Sequence, residues 1–121
     1  MPEFGNPFSA LDNDRMLKPD ELVRAIRMMI AAEYEAIQLY QQLAASTDNE
    51  LAKKVLIDIA DEEKVHAGEF LRLLQELDPA EMDFYKEGAA EVEEEFLGKA
   101  SGKHENGGSS SNGLGIGSLK K

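Results

Sequence analysis

The sequence predicts an all-α protein built from an antiparallel pair of long helices followed by a shorter C-terminal helix. Residues 22–45 contain neither glycine nor proline, and apolar residues recur there at steps of three and four. A second stretch with the same periodicity ends near Leu77, and the turn-forming residues 46–49 separate the two. Two helices joined by so short a connection run antiparallel.

Short polar segments mark where the two long helices begin. Pro19 and the two acids after it predict the first start, because proline fits the first turn and acids there complement the helix dipole. Thr47 and Glu50 have the spacing of a capping box, which predicts the second start. We expect the buried stripes to be Leu22, Ile26, Met29, Glu33, Ala36, Tyr40 and Leu43 in the first helix, and Ile59, Glu63, His66, Phe70, Leu73 and Leu77 in the second.

A third, shorter helix is predicted to start at Asp78-Pro79. We expect it to bend or break at Gly88 and to end near Leu97. The predicted organisation is an irregular arm over 1–17, a helical domain over 18–97, a flexible Gly/Ser/Asn-rich linker over 98–113 that contains His104, and a terminal segment over 114–121.

The chain of 121 residues is strongly acidic, with 24 acidic and 13 basic residues and a net charge of −11. This balance argues against nucleic acid and anionic membranes as partners, and is compatible with attracting cations. Cysteine is absent, which excludes disulfides, zinc–thiolate sites and a rubredoxin-type iron centre. No stretch has the apolar run of a secretory signal or a membrane span, so we expect a cytoplasmic protein.

Three ionisable residues interrupt the apolar stripes: Glu33 in the first helix, and Glu63 and His66 in the second. Glu63 and His66 form a Glu-x-x-His pair, whose spacing places both side chains on one helix face, as in carboxylate-bridged di-iron bundles. Glu33 lies fifteen residues before Asp48, at the centre of the turn, and Glu63 lies fifteen after it. The two carboxylates therefore come level in an antiparallel hairpin.

Glu33, Glu63 and His66 are thus predicted to converge in an apolar seam, where charged groups are costly unless paired or bound to metal. Oxygen and imidazole ligands without thiolate suit iron or manganese, and zinc is also compatible. The alternative is a buried ion pair of one glutamate with protonated histidine, which leaves the second carboxylate without a counter-charge. A metal site is the favoured interpretation.

Three further residues are candidates for supporting roles. Tyr40 lies two turns beyond Glu33 on the same face, where it either hydrogen-bonds a metal ligand or only fills the seam. Glu35 and Glu62 point away from the main stripes and are either ordinary surface acids or secondary metal sites.

The predicted site is half of a complete one. A di-iron bundle uses four helices, two single glutamates and two Glu-x-x-His pairs. This chain supplies two long helices, one such glutamate and one such pair. Two hairpins related by a two-fold axis would complete the site and cover the apolar face that one hairpin leaves exposed. We therefore expect dimerisation to complete a ferritin-like four-helix bundle.

The chain resembles the encapsulated ferritins over residues 19–97. The resemblance lies in segments 32–40 (AEYEAIQLY) and 61–66 (DEEKVH) and in the spacing of the candidate ligands within them. It implies ferroxidase chemistry at a dimer interface, in a ring-shaped decamer built from dimers. Ala32 departs from the family, in which consecutive glutamates often precede this spacing, and this puts an outer metal site with Glu35 in doubt.

The tail extends the resemblance. Residues 114–120 (LGIGSLK) look like the peptide that docks such cargo onto the inner wall of an encapsulin shell, with Leu114, Ile116 and Leu119 as apolar anchors. This implies localisation in an encapsulin nanocompartment in the cytoplasm. The alternative is an engineered linker and scar.

The leading functional hypothesis is a ferroxidase that feeds a mineral store. Two Fe²⁺ would bind between subunits, bridged by Glu63 of each chain, with Glu33 and His66 as terminal ligands. The alternatives are a rubrerythrin-like peroxidase, which the absence of cysteine disfavours in a self-contained form, and a non-catalytic acidic helical adaptor.

Overall fold

Three α-helices form the regular structure of residues 10–98, the part of the chain that the computed structural model describes. Helix α1 spans Pro19–Ala44, α2 spans Glu50–Leu77 and α3 spans Pro79–Glu95. Within 10–98 there is no β-strand, so the predicted all-α class is confirmed. Most of the predicted arm and linker, and the whole terminal segment 114–121, lie outside the described residues.

The start of α1 is fixed by Glu21. Its carboxylate accepts a hydrogen bond from the backbone N–H of Lys18 at 2.8 Å and two from the Arg15 guanidinium, each at 2.8 Å. The bonds from Arg15, and then the bond from Lys18, lower the pKa of Glu21 to about 2. The carboxylate therefore stays charged at the positive end of the helix dipole and holds the preceding residues against the helix start.

Asn49 caps the start of α2. Its side-chain Oδ1 accepts a hydrogen bond from the backbone N–H of Ala52 at 2.9 Å. Thr47 instead accepts a bond from the backbone N–H of Asn49 at 3.1 Å, inside the turn. The predicted capping box from Thr47 to Glu50 is therefore wrong, because the helix begins at Glu50 and Thr47 lies too early to be its cap.

Helix α3 is unbroken at Gly88, so the predicted bend or break there does not take the form of a break. A glycine inside a helix costs about 1 kcal/mol relative to alanine, which weakens a helix without ending it. The helix ends where the backbone N–H groups of Phe96 and Leu97 both reach the carbonyl of Val92. Gly98 then has a φ of +69°, a left-handed conformation that glycine adopts without strain.

The chain divides after Pro79 into two units. The first contains the hairpin of α1 and α2, and the second contains α3. Asp78, at the end of α2, lies 3.9 Å from Arg27 in the early part of α1, as expected for an antiparallel pair. None of the three described helices is apolar over enough of its length to cross a membrane.

The seam of the hairpin repeats every seven residues. Buried side chains lie at Val23, Ile26, Ile30, Ile37 and Ala44 of α1, and at Ala60, Ala67 and Leu74 of α2. Small alanines on α2 thus meet larger residues on α1, in the manner of a two-stranded coiled coil. Of the residues predicted for the buried stripes, only Ile26 is among the buried core residues.

Most of the other predicted stripe residues lie one position before a seam residue, and several of these form an exposed surface. Equivalent positions beside the seam lie on the same side of both helices in an antiparallel pair. We call this surface the apolar flank; its large members are Leu22, Met29 and Leu43 of α1 and Leu73 of α2, each at least a third exposed. Several exposed apolar residues on one side of a hairpin favour an interaction surface there.

Candidate metal centre

Glu33, Glu63 and His66 come together at the middle of the hairpin. One potential ligand atom from each of the three lies within 4.8 Å of the others. The His66 ring nitrogen Nδ1 is 2.9 Å from Glu63 Oε1 and 3.9 Å from Glu33 Oε1. The sequence-predicted convergence of these residues is therefore present within a single chain.

The seam repeat explains the placement. Glu33 lies between Ile30 and Ile37 on the inner face of α1, and Glu63 lies between Ala60 and Ala67 on that of α2. Both carboxylate side chains are accordingly shielded, with 18% and 17% of their surface exposed.

His66 stands one position before Ala67, on the same side as the apolar flank, and half of its side chain is exposed. The centre is thus closed by the seam on one side and open on the side of the apolar flank.

The close approach of the two carboxyl groups changes how they hold protons. A hydrogen bond to Glu63, followed by desolvation and the negative charge of Glu63, raises the pKa of Glu33. The hydrogen bonds from Glu33 and from His66 lower the pKa of Glu63. The bond to Glu63 also raises the pKa of His66, with the charges of Glu63, Glu33 and Glu69 adding to the effect. In the metal-free chain, protons therefore partly offset the negative charge of the centre.

This donor set fits a divalent cation. Two carboxylates and one imidazole are ligands typical of iron, manganese and zinc, and cysteine is absent from the chain. Among residues 10–98, the ion pairs to Glu33 and Glu63 come from His66, so no lysine or arginine neutralises them there. A bound cation would take over the role that protons have in the metal-free chain.

The other predicted site residues lie outside this group of three. Tyr40 is half-buried, and Glu62 is exposed on the outer side of α2. Glu35 is half-buried, and its Oε2 is shielded without a hydrogen-bond partner among the described residues. His104 lies outside the described residues.

Sequence reasoning missed Glu69, whose charge acts on His66. Its signal was the spacing: Glu69 follows His66 by three residues, just as His66 follows Glu63.

Comparisons with known proteins place this hairpin among ferritin-like chains. The family model described as rubrerythrin matches residues 24–106. In the crystal structure of the encapsulated ferritin domain from Pyrococcus furiosus, a chain with 40% sequence identity superimposes with a TM-score of 0.70, covering 76% of this chain and 93% of that one.

Two curated relatives carry names that mention encapsulins. A ferritin-like–encapsulin shell fusion protein of Pyrococcus furiosus is 42% identical over 89 residues, which cover 74% of this chain and 26% of the relative. An encapsulin nanocompartment cargo protein of Myxococcus xanthus is 44% identical over 82 residues, covering 68% of this chain and 62% of the relative. The chain thus spans less than two thirds of the length of both.

The raised pKa of His66 predicts how the stability of the metal-free protein changes with pH. A histidine whose pKa is higher in the folded state than its usual 6.5 stabilises the fold below pH 6.5, and this contribution disappears as pH rises through the folded value. The substitution His66→Ala should therefore lower the free energy of unfolding by more at pH 6 than at pH 9. Urea titrations with a chelator present measure both values.

Glu63→Gln provides the control for this prediction. It removes the charge beside His66, so His66→Ala in that background should show a smaller dependence on pH. An effect of His66→Ala that stays constant or grows between pH 6 and pH 9 would contradict the assignment.

Proposed function

We propose that this chain, which belongs to the rubrerythrin family of ferritin-like proteins, is a ferroxidase that oxidises Fe(II) to Fe(III). The observation that carries the proposal is the meeting of Glu33, Glu63 and His66, with one potential ligand atom from each within 4.8 Å of the others. The iron is the substrate, and two carboxylates with one imidazole suit it.

The complete site is proposed to lie between two subunits. One hairpin contributes two carboxylates and one imidazole, which is half the ligand set of a di-iron bundle. The open side of the centre and the apolar flank lie on the same side of the hairpin, so one two-fold contact would complete the ligands and cover the exposed leucines.

Each residue has a proposed role in this arrangement. Glu63, with a ligand atom within 4.8 Å of one from each of the other two residues, would bridge two iron ions, while Glu33 and His66 would hold one ion each. Tyr40, two turns beyond Glu33 on the same face, is proposed to hydrogen-bond a ligand. Metal binding would compete with protons at Glu33 and His66, the two ligands whose pKa values are raised. Oxygen or peroxide accepts the electrons, and Fe(III) leaves.

Mineral storage is proposed to occur outside this chain, in an encapsulin nanocompartment in the cytoplasm. A hairpin of this size encloses no volume of its own, and both curated relatives have names that refer to encapsulin. The terminal residues Leu114, Ile116 and Leu119, which lie outside the described part, are proposed as the anchors that dock the chain onto the shell.

A rubrerythrin-like peroxidase is the second candidate, favoured by the family match. It shares the metal ligands and differs in its oxidant. Stopped-flow oxidation of Fe(II) by oxygen and by hydrogen peroxide, compared at equal concentrations, distinguishes the two candidates. A non-catalytic adaptor would oxidise iron with neither.

Removal of a ligand should abolish iron oxidation without unfolding the hairpin. Glu63→Ala and His66→Ala each remove one ligand from a half-site of three, so the oxidation rate should fall to the rate of iron in buffer. Helix content, measured by circular dichroism, should stay unchanged because both variants keep all the buried apolar side chains of the seam. Asp58→Ala, an exposed acid on the same helix, is the matched control; wild-type oxidation by both ligand variants would contradict the site.

Assembly should depend on divalent metal. Carboxylates that meet across a two-fold axis repel one another, and a cation offsets this repulsion. Sedimentation velocity should show a dimer or a larger ring, such as a decamer, with Co²⁺ and a smaller species with chelator. Leu73→Glu on the apolar flank should prevent the change, because it introduces a charge into the buried surface.

Val65→Glu is the control for assembly, since Val65 is also exposed but lies away from the apolar flank. A chain that stays monomeric with metal while oxidising iron at the full rate would contradict the shared site.

The terminal segment should be separable from the chemistry. Deletion of residues 105–121 should leave iron oxidation unchanged and abolish co-purification with a co-expressed encapsulin shell. Replacement of Leu114, Ile116 and Leu119 by aspartate should have the same result, because charges oppose burial at apolar anchor positions. Equal shell capture by the intact and the shortened chain would show that the segment is not the docking peptide.

A further inference from the structure

Met29 is a sulfur-bearing side chain one helical turn from the candidate metal centre. It precedes Glu33 by four residues in α1, which places the two side chains about 40° apart around the helix and about 6 Å apart along it. Met29 also belongs to the apolar flank, on the side to which the centre is open, and 38% of it is exposed. An oxidant that leaves the centre on its open side therefore emerges next to a thioether.

The register of the hairpin places Met29 and His66 beside the same layer of the seam. Buried Ile30 lies three residues beyond the level of the two carboxylates in α1, and buried Ala67 lies four residues beyond that level in α2, so the two are nearly level. Met29 immediately precedes Ile30, just as His66 immediately precedes Ala67. Equivalent positions beside the seam lie on the same side of both helices in an antiparallel pair, so Met29 and His66 share that side.

The other methionines provide internal standards for this position. The chain has five methionines and no cysteine, and helices α1 and α2 contain two of the five, Met28 and Met29. Met28 lies two residues from both Ile26 and Ile30, about 200° around the helix from each, so it faces away from the seam. Met16, in the segment before α1, is 87% exposed. Exposure to solvent and nearness to the centre therefore rank these methionines differently.

We propose that Met29 is an oxidation site, at which hydrogen peroxide formed by the iron reaction converts the thioether to a sulfoxide. The proposal rests on the ferroxidase function proposed above, with oxygen as the electron acceptor. Two Fe(II) ions give two electrons to one oxygen molecule, which takes up two protons and becomes hydrogen peroxide. One peroxide oxygen then bonds to the Met29 sulfur as the O–O bond breaks. The sulfur loses two electrons, and the other oxygen takes the remaining proton and leaves as water.

The modification changes the surface on which Met29 lies. A sulfoxide is polar, whereas the thioether is apolar. On the apolar flank, the S=O group enters a surface that the proposed two-fold contact would bury, and burial of a polar group without a hydrogen bond is unfavourable. Oxidation of Met29 therefore weakens the contact that completes the site. Because methionine sulfoxide reductases reverse the reaction, Met29 is a reversible limit on iron oxidation.

The position of the sulfoxide distinguishes peroxide made at the centre from peroxide in solution. The full-length chain is supplied with Fe(II) in air with catalase present, treated with a chelator and digested with trypsin, which separates Met16 from the peptide that begins at Met28. Fragment ions in the mass spectrometer then distinguish Met28 from Met29. Sulfoxide should form at Met29 ahead of the other two, because catalase removes peroxide that escapes into solution.

Hydrogen peroxide added to the iron-free protein with a chelator provides the comparison. Here the order of oxidation should follow exposure, which puts Met16 ahead of Met29. Glu63→Ala, supplied with Fe(II) in air, should lose the preference for Met29. The same order in both treatments of the wild type, or an unchanged preference in Glu63→Ala, would overturn the proposal.

The outcomes also separate this proposal from the function on which it rests. A wild type that oxidises no iron, measured by the absorbance of Fe(III), would overturn the ferroxidase function and this site together. A wild type that oxidises iron with oxygen but forms sulfoxide first at Met16, or equally at Met28 and Met29, would overturn only the role of Met29.

Sedimentation velocity with Co²⁺ tests the consequence for assembly. Wild-type protein that has oxidised iron should shift to a smaller species, and treatment with methionine sulfoxide reductases for both epimers should restore the larger one. Met29→Leu keeps an apolar side chain of similar volume without sulfur, so it should stay assembled after the same treatment. Met28→Leu should respond as the wild type does. Equal loss of assembly in both variants would contradict the role of Met29.

Discussion

Two carboxylates held level in an apolar seam are the constraint on which the rest of the structure depends. Glu33 and Glu63 occupy positions that the seven-residue repeat would otherwise fill with aliphatic side chains. Two charges at such a place repel and are poorly hydrated, so the pKa of Glu33 is raised, while His66 lies against Glu63 and helps to lower the pKa of that carboxyl group. A divalent cation satisfies the same requirement, which makes metal binding the natural counterpart of this packing.

The constraint also accounts for the uneven burial around the hairpin. The seam side of the centre is closed by isoleucines and alanines, while the His66 side adjoins the apolar flank. An apolar surface next to the proposed half-site would give the hairpin two separate reasons to meet a second copy, one from exposed hydrocarbon and one from the metal ligands that the second copy would add. Neither requires α3, which belongs to a separate unit of the chain.

Much of the fold was predictable because its signals are local. The absence of glycine and proline over 22–45 and the acids after Pro19 depend only on neighbouring residues and predicted α1, and the turn residues 46–49 with the periodicity after them predicted α2. The cap at Asn49 was missed because the first matching pair, Thr47 and Glu50, satisfied the pattern two residues early. The effect of Gly88 on α3 was overestimated, because one glycine costs about 1 kcal/mol and the helix continues through it.

The meeting of Glu33, Glu63 and His66 was predictable from their equal distance to the turn, which is a property of the sequence alone. The sequence did not predict which residues lie at the centre of the seam, because periodicity at three and four residues cannot distinguish a seam position from its neighbour one residue away. That distinction decides which leucines are buried and which form the apolar flank. The raised pKa of Glu33 also depends on its atomic contact with Glu63, and no rule of sequence spacing predicts it.

The equal arms of the hairpin have a consequence for how such a sequence can evolve. A residue inserted within the turn leaves the two carboxylates facing each other, because both helices keep their length from the centre. A residue inserted in one helix between the turn and its carboxylate shifts that side chain by about 1.5 Å along the axis and 100° around it, out of the seam. Length changes should therefore accumulate at 45–49. The number of residues between the turn and Glu33, and between the turn and Glu63, should stay constant unless both helices gain seven residues together.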